Sequence, residues 1–227
     1  ALEVSGVSID SRTLEPGDLF IAVSGDRFDG HEFVSEAVGR GASSVLVEKD
    51  ISMKSPPSII RVKESRRALS ELAQKYFRKL PAKSVAITGS NGKTTTKYLA
   101  GQIAGRVMKT AVAPASYNNL IGVSLTALSA GRKDEAVIFE VGMNRSGEIR
   151  RLAEICRPDI GVILNVGPAH IGLLGGLEEV ARAKAELLEG LAPAGIGILN
   201  FDDPRVRDMA AIVTGNVVGF GRSDRSE

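Results

Sequence analysis

The stretch TGSNGKTT, residues 88–95, combines residue types that bind phosphate groups. It follows the apolar run SVAI and precedes TKYLAGQIA, a segment compatible with a helix. The N–H groups of a glycine-containing loop that leads into a helix can bind phosphate oxygens. A lysine after the second glycine reaches the outer phosphates, and the next hydroxyl contacts Mg²⁺. The predicted phosphate-binding residues are Gly89, Ser90, Asn91, Gly92, Lys93, Thr94 and Thr95.

The spacing of these residues departs from the commonest phosphate-loop pattern, G-x-x-x-x-G-K-[ST]. That pattern requires glycine at position 87, where this chain has Ile87. An ordinary turn between a strand and a helix, with a lysine on the surface, would have a similar sequence. The elements around the loop therefore decide whether it is expected to bind phosphate.

From residue 84 onward, apolar segments alternate with helical segments, which is typical of a parallel α/β sheet. Several apolar segments are continuous, as in strands buried on both faces. Ligands bind beyond the carboxyl ends of such strands, where TGSNGKTT lies. The predicted strands are SVAIT, TAVA, AVIFEV, DIGVILNV, IGILN and NVVGF, and the predicted helices cover about 94–105, 119–130, 147–156, 176–191 and 203–213.

Two polar residues follow other predicted strands of this sheet. Glu140 ends AVIFE, and His170 follows VILNVGPA. Taken alone, each is compatible with a charge at an exposed strand end or with an ordinary loop histidine. Because the carboxyl ends of parallel strands meet at one edge, we expect both residues near the phosphate loop. Thr94 and Glu140 offer hard oxygens suited to Mg²⁺, for which an imidazole such as that of His170 is a less usual ligand.

Lys184 lies on the apolar stripe of the predicted helix LEEVARAKAELLEGL, between Ala181 and Leu188. One interpretation is a lysine whose stem packs against the core while its amine reaches solvent. The other is a buried functional lysine whose pKa is shifted. Its neutral amine would react with CO₂ to give a carbamate, a further oxygen ligand for a metal.

The first 82 residues predict a separate α/β domain, 1–82, which precedes the domain 83–227. LFIAV, SVLVE and SIIRV are strand-like segments. A second helix, SRRALSELAQKYFRKL, has apolar residues at helical spacing and is followed by Pro81, near the expected boundary. The first helix, HEFVSEAVGRG, has its predicted apolar face at Phe33, Val34, Ala37 and Val38.

The composition is typical of a globular protein, because 43% of the 227 residues are hydrophobic and 25% are charged. A net charge of only +2 argues against nucleic-acid binding. No apolar run approaches the roughly 20 residues that span a bilayer, so we expect no membrane segment. The single cysteine, Cys156, suits a reducing cytoplasm. We expect a cytoplasmic monomer.

TGSNGKTT resembles the shortened ATP loop, T-G-x-N-G-K-[ST], of the Mur ligases, the ATP-dependent amide-forming enzymes of peptidoglycan synthesis. In that loop Gly89 supplies the turn, so Ile87 need not be glycine. DSRTLEPGDLFIAVSGDRFDGHEFVSEAVGRGAS (10–43) is similar to the UDP-binding N-terminal domain of the family. SYNNLIGVSLTAL, EVGMNRSGEIRRLAEICRPDIGVILNVGPAHI and EEVARAKAELLEGL look like the subfamily that adds D-alanyl-D-alanine. That subfamily usually has E-M-G-A-N where this chain has EVGMN, residues 140–144.

The resemblance covers essentially the whole chain and implies a role for each matching residue. The implied cofactors are ATP and Mg²⁺. The implied catalytic residues are Lys93, His170 and Lys184, and the implied metal ligands are Thr94, Glu140 and His170. The implied substrate-binding residues are Ser11, Arg12, Asp29, Gly30, His31, Asn118, Asn119 and Asn144. Asp29 and Gly30 are also compatible with a simple helix-starting turn.

The implied reaction joins D-alanyl-D-alanine to UDP-N-acetylmuramoyl-tripeptide through an acyl phosphate. Family members continue past the position of Glu227 with an H-N-x-x-N segment and a third domain, so we expect substrate binding with little or no turnover from this chain. Two alternatives stay open: a sister ligase that adds a diamino acid, and a non-catalytic module that binds a UDP-sugar or a nucleotide. A switch-type GTPase is disfavoured, because the sequence has neither N-K-x-D nor D-x-x-G.

Overall fold

A computed structural model of the chain describes residues 3–25, 28–53, 57–168 and 175–222. The chain forms two compact units, Ala1–Ala73 and Gln74–Glu227. The division falls inside a helix at Ser65–Phe77, which the domain limits expected from sequence place wholly in the first domain. Within the described residues, no helix is long and apolar enough to cross a bilayer.

The first unit contains a four-stranded parallel sheet in the order β1-β2-β3-β4. Strands β2 to β4 match the three predicted segments, whereas β1 has only two residues and leaves no sequence pattern. A 3₁₀ turn at Gly30–Phe33 leads into the first helix. The elements are β1 Val7–Ser8, β2 Leu19–Ile21, α1 Val34–Gly39, β3 Ser44–Val47, β4 Ser58–Arg61 and α2 Ser65–Phe77.

The predicted apolar face of the first helix is correct at Val34 and Ala37, which are buried against Phe20 and Val45 of the sheet. It is wrong at Phe33, which is 38% exposed. Phe33 lies in the 3₁₀ turn, where the repeat of about three residues per turn rotates it away from the α-helical stripe.

The second unit contains a six-stranded sheet in the order β10-β9-β8-β5-β7-β6, and every neighbouring pair is parallel. The predicted parallel α/β architecture is therefore confirmed. The strands are β5 Lys83–Thr88, β6 Thr110–Val112, β7 Ala136–Glu140, β8 Ile160–Ile163, β9 Ile196–Asn200 and β10 Asn216–Phe220. The helices are α3 Lys93–Ala104, α4 Leu120–Ser129, α5 Glu148–Cys156, α6 Leu177–Glu189 and α7 Pro204–Asp208. A 3₁₀ turn, Met209–Ile212, ends the last predicted helix.

Strand β5 lies between β7 and β8, where the strand order changes direction. After β5 the chain builds β6 and β7 on one side, and then β8, β9 and β10 on the other. Ile87 pairs with Glu140, and Thr88 pairs with Ile163, so the carboxyl ends of these three strands meet. Such a reversal point is where open α/β sheets bind ligands.

Candidate functional site

The predicted phosphate loop lies between β5 and α3, at the carboxyl edge of the six-stranded sheet. Gly92 directly precedes α3 with a φ of 82°, a left-handed conformation that favours glycine. A Cβ on Gly89 would lie only 2.9 Å from the Cβ of Leu164. Ile87 is 1% exposed inside β5, so position 87 packs in the core and takes no part in the turn.

The start of α3 can accept an anion. No side chain caps the helix, and the Thr96 N–H donates to the Gly92 carbonyl at 2.9 Å. The N–H groups of residues 93–95 are those that a helix leaves without an intrahelical partner, at the positive end of its dipole. Lys93 Nζ donates to the Gly89 carbonyl at 2.7 Å, so the ammonium lies over its own loop. Burial lowers the pKa of Lys93, an effect that the negative charge of Glu140 opposes.

The segment after β8 holds this loop in place. Asn165 Oδ1 accepts from the Asn91 N–H at 2.9 Å, and Asn165 Nδ2 donates to the Asn91 carbonyl at 3.2 Å. The Gly167 N–H donates to Ser90 Oγ at 2.8 Å. Asn165 was not among the predicted site residues. The feature of the sequence that could have indicated it is its position, because it is a polar residue at the end of the apolar run VILN.

Glu140 is 1% exposed, and both of its carboxylate oxygens accept hydrogen bonds. Thr94 Oγ1 donates to Oε2 at 2.9 Å, Lys97 Nζ lies 3.1 Å from the same oxygen, and Asn118 Nδ2 donates to Oε1 at 2.9 Å. Burial alone would raise the pKa of Glu140. The hydrogen bonds from Asn118, Thr94 and Lys97 outweigh that effect and hold the pKa below its ordinary value. The carboxylate is therefore ionised beside the start of α3.

Lys97 belongs to this cluster and was not predicted from the sequence. Its side chain is fully buried, and it donates to the Ala115 carbonyl as well as to Glu140. Its Nζ lies 4.5 Å from the centre of the Tyr98 ring. Its signal was spacing, since it follows Lys93 by four residues and so shares a helix face with it.

The three asparagines predicted to face the substrate lie in two loops close to Glu140. Asn118 contacts Glu140 directly, and its carbonyl accepts from the Gly142 N–H at 2.8 Å. Asn119 caps α4, because its Oδ1 accepts from the Gly122 N–H at 2.9 Å. Asn144 is exposed in the loop before α5. The structure thus gives Asn119 a capping role in folding, and the substrate roles of all three stay predictions.

Helix α6 contributes two buried charged residues. Lys184 is 3% exposed, which agrees with its predicted place on the apolar stripe. Burial, with a smaller effect from the positive charge of Lys93, lowers the pKa of Lys184 to about 8. Glu186 accepts from the Gly147 N–H at 2.7 Å and from the Arg150 N–H at 3.0 Å. Glu186 therefore caps α5 from a neighbouring helix, a role that no sequence pattern indicates.

His170 lies outside the described residues, so its metal-binding role stays a prediction. Among the residues that the structure describes, no group of three or more His, Cys, Asp or Glu side chains could hold a metal ion. Thr94 and Glu140 place two hard oxygens 2.9 Å apart. This donor set fits a Mg²⁺ ion that takes its remaining ligands from phosphates and water.

In the first unit, two of the residues predicted to face uridine contact neighbouring carboxylates. Ser11 is buried and donates to Glu36 Oε2 at 3.1 Å. Arg12 pairs with Asp10 at 2.7 Å, and its side chain is 79% exposed. The hydrogen bond from Arg12 lowers the pKa of Asp10 to about 2. Of the two predicted residues, Arg12 is the one that presents its side chain to solvent.

Asp29, Gly30 and His31 form a helix-starting turn, as the alternative interpretation had it. Asp29 Oδ1 accepts from the His31 N–H at 3.1 Å and lies 2.6 Å from His31 Nδ1. His31 Nε2 accepts from the Glu48 N–H at 2.9 Å, which places the ring proton on Nδ1. A Cβ on Gly30 would lie 2.6 Å from the Val23 nitrogen. These contacts are structural, and a uridine-binding role for the three residues stays a prediction.

The loop before α3 and the buried Glu140 lie at the carboxyl edge of a parallel α/β sheet, and comparison with known proteins gives the class of the chain. Residues 87–227 match the Mur ligase middle domain, and residues 3–77 match the Mur ligase family catalytic domain. The chain belongs to the Mur ligase family.

Within the family, the chain is similar to ligases that add D-alanyl-D-alanine. The UDP-N-acetylmuramoyl-tripeptide--D-alanyl-D-alanine ligase of Bacillus subtilis (strain 168) is 38% identical over 159 residues, which are 69% of this chain and 34% of that protein. A crystal structure of MurF from Acinetobacter baumannii is 33% identical with a TM-score of 0.87, covering 95% of this chain and 48% of that one. MurF from Thermotoga maritima in complex with ADP is 32% identical with a TM-score of 0.85, covering 95% and 50%. The chain spans about a third of the curated relative's length and about half of each solved structure's.

Proposed function

We propose that this chain forms the nucleotide- and substrate-binding part of a ligase that joins D-alanyl-D-alanine to UDP-N-acetylmuramoyl-tripeptide with ATP. The observation that carries the proposal is the uncapped start of α3, with Lys93 over its loop and Thr94 beside the ionised Glu140. The relative named for this reaction and the solved structure named with ADP support it.

In the proposed reaction, an oxygen of the terminal tripeptide carboxylate attacks the γ-phosphorus of ATP, and the bond to ADP breaks. The amine nitrogen of D-alanyl-D-alanine then attacks the carbonyl carbon of the acyl phosphate and loses a proton. The tetrahedral intermediate collapses, phosphate leaves, and an amide bond remains. Phosphoryl transfer requires in-line positioning and charge neutralisation more than covalent help from the protein.

The residues at the start of α3 are suited to that task. The N–H groups of residues 93–95 and the Lys93 ammonium would bind the β- and γ-phosphate oxygens and offset their charge. Thr94 and Glu140 would hold Mg²⁺, which supplies further positive charge to the phosphates when it is bound. Asn118 and Lys97 keep the Glu140 carboxylate ionised and oriented.

Mass spectrometry of the reaction products tests the proposed function, since it detects product even when turnover is slow. We expect ATP and the UDP substrate to bind, and we expect any product from UDP-N-acetylmuramoyl-tripeptide, D-alanyl-D-alanine, ATP and Mg²⁺ to be the amide-linked pentapeptide, with none from Lys93→Ala. Product formed only from a diamino acid and a shorter UDP-muramoyl-peptide would indicate the sister ligase. A chain that binds neither ATP nor the UDP substrate would contradict the proposal.

A further inference from the structure

Lys97 is a buried lysine. In the proposed phosphoryl transfer it does not contact a substrate. Its side chain is 0% exposed and that of Glu140 is 1% exposed, with Nζ and Oε2 separated by 3.1 Å. Moving an ammonium group out of water is unfavourable unless charged and polar partners replace the water. Lys97 has such partners in Glu140, the Ala115 carbonyl and the Tyr98 ring. These polar and charged partners, and not apolar packing alone, therefore determine the position of the Lys97 ammonium.

The contacts of Lys97 connect α3 to the loop that follows β6, residues 113–119. Ala115 has a φ of 41°, in the left-handed region that residues other than glycine rarely adopt, and its carbonyl accepts from Lys97. The same loop also contacts Glu140 directly, through the side chain of Asn118. Strained backbone of this kind persists where surrounding contacts hold it. Lys97 thus orients both the carboxylate and the loop that carries Asn118.

The side chains that hydrogen-bond to Glu140 are donors, and one of them is a cation. Thr94 and Lys97 contact Oε2, Asn118 contacts Oε1, and the Lys93 ammonium is close enough to interact with the carboxylate charge. No cluster of three or more acidic, histidine or cysteine side chains accompanies it in the described parts of the chain. A divalent cation that arrives alone would meet a Glu140 carboxylate whose charge Lys97 already balances.

We propose that Lys97 is a positioning residue that acts as the built-in counter-ion of Glu140, so that the site binds a divalent cation only together with a polyphosphate. The inference rests on the proposed nucleotide-binding function of the same site. Without nucleotide, the Lys97 ammonium takes the place of the cation beside Glu140. Phosphate groups make binding of the cation favourable, because they add negative charge and further oxygen ligands for it.

Thermal unfolding of the whole chain, with and without Mg²⁺ and in the absence of nucleotide, tests this role apart from activity. In Lys97→Met, Glu140 lacks its counter-ion, so Mg²⁺ should bind and raise the unfolding midpoint by about 3–6 °C at roughly tenfold the dissociation constant. Mg²⁺ should leave the midpoints of the wild type and of Lys97→Arg unchanged. If Lys97→Met does not fold without a cation, Mg²⁺ should restore its cooperative transition.

Two further variants control the experiment. Lys83→Met removes a lysine at the opposite end of β5, where the Lys83 side chain is 73% exposed, and should give no response to Mg²⁺. Adding Glu140→Gln to Lys97→Met should abolish the response, since the cation then has no carboxylate to bind.

A lysine with a merely structural role would lower the midpoint of Lys97→Met and leave it insensitive to Mg²⁺, and that result would overturn the inference. A wild type that Mg²⁺ alone stabilises as much as Lys97→Met would also overturn it. Repeating the measurement with Mg²⁺–ADP separates the two proposals. A wild type that Mg²⁺–ADP does not stabilise counts against the proposed function, while the comparison with free Mg²⁺ still decides the role of Lys97.

Discussion

Thr94 Oγ1 donates a hydrogen bond of 2.9 Å to Glu140 Oε2, although 46 residues separate the two in sequence. Thr94 lies in the first turn of α3 and Glu140 ends β7. They meet because β5 and β7 are parallel neighbours whose register pairs Ile87 with Glu140. The two oxygens proposed to hold Mg²⁺ therefore come together through strand order. The Thr94 oxygen belongs to the β5–α3 unit, and the Glu140 oxygens belong to β7.

Substitutions at Glu140 and Lys97 should not be additive. Glu140→Gln leaves the Lys97 ammonium buried without its charge partner, and Lys97→Met does the same to the carboxylate. We expect each single substitution to lower the free energy of unfolding by about 3–5 kcal/mol. The double variant should cost less than the sum by at least about 1 kcal/mol. Urea denaturation of all four proteins measures this difference, and strictly additive costs would show that the pair is not coupled.

Lys184 should make the free energy of unfolding depend on pH in the alkaline range. Burial lowers its pKa from 10.5 to about 8 in the folded chain. Between these values the unfolded chain binds a proton that the folded chain does not, so stability should rise with pH across this window. Relative to Lys184→Met, the gain should reach at most about 3 kcal/mol, since each unit of pKa corresponds to about 1.4 kcal/mol. A constant difference between the two proteins across the window would contradict the burial of a titrating amine.

The neutral amine that this burial favours is also the form that reacts with CO₂. The carbamate predicted for Lys184 therefore depends on the same environment, in which burial and Lys93 both disfavour the charged form. Lys93→Ala should raise the pKa of Lys184 only slightly, because burial lowers that pKa more than the charge of Lys93 does.

His31 should contribute to stability whether or not it binds uridine. His31→Ala deprives the Glu48 N–H of its acceptor and removes a donor from Asp29, so we expect a loss of about 1–3 kcal/mol. Lys49→Ala is a matched control, because it removes another partner of Asp29 from a side chain that is 62% exposed. Its cost should stay below about 1 kcal/mol. Chemical denaturation in which the two variants lose equal stability would refute the structural role of His31.

Glu186 should stabilise the start of α5. Glu186→Ala removes the acceptor of the Gly147 and Arg150 N–H groups, and we expect a loss of about 2 kcal/mol, as for a lost helix cap. Glu189→Ala removes only an ion pair with Arg150 in which both side chains are exposed, so it should cost less than about 1 kcal/mol. Hydrogen exchange should show faster opening of α5 amides in Glu186→Ala alone. Similar exchange in both variants would rule out the capping role.

The features that were predicted from the sequence are those with a local pattern. Continuous apolar runs indicated the parallel strands, TGSNGKTT indicated a loop between a strand and a helix, and helical spacing placed Lys184 on an apolar stripe, with burial of its amine as one of two interpretations. Lys97, Asn165 and Glu186 were not predicted, because their roles arise from partners that lie 43, 74 and 39 residues away in sequence. Such contacts depend on strand order and on helix packing, which local spacing does not specify.

The loop before α3 is proposed to bind nucleotide phosphates through Lys93, and titration calorimetry with Mg²⁺–ADP tests this most directly. Hydrogen bonds to charged groups contribute about 1.5–3 kcal/mol, so we predict that Lys93→Ala lowers the affinity about 10- to 100-fold. Lys83→Ala, which changes an exposed lysine at the other end of β5, should keep the wild-type affinity. Thermal unfolding verifies that both variants are folded. Equal affinity of folded Lys93→Ala and wild type for Mg²⁺–ADP would contradict the assignment of this loop as the nucleotide site.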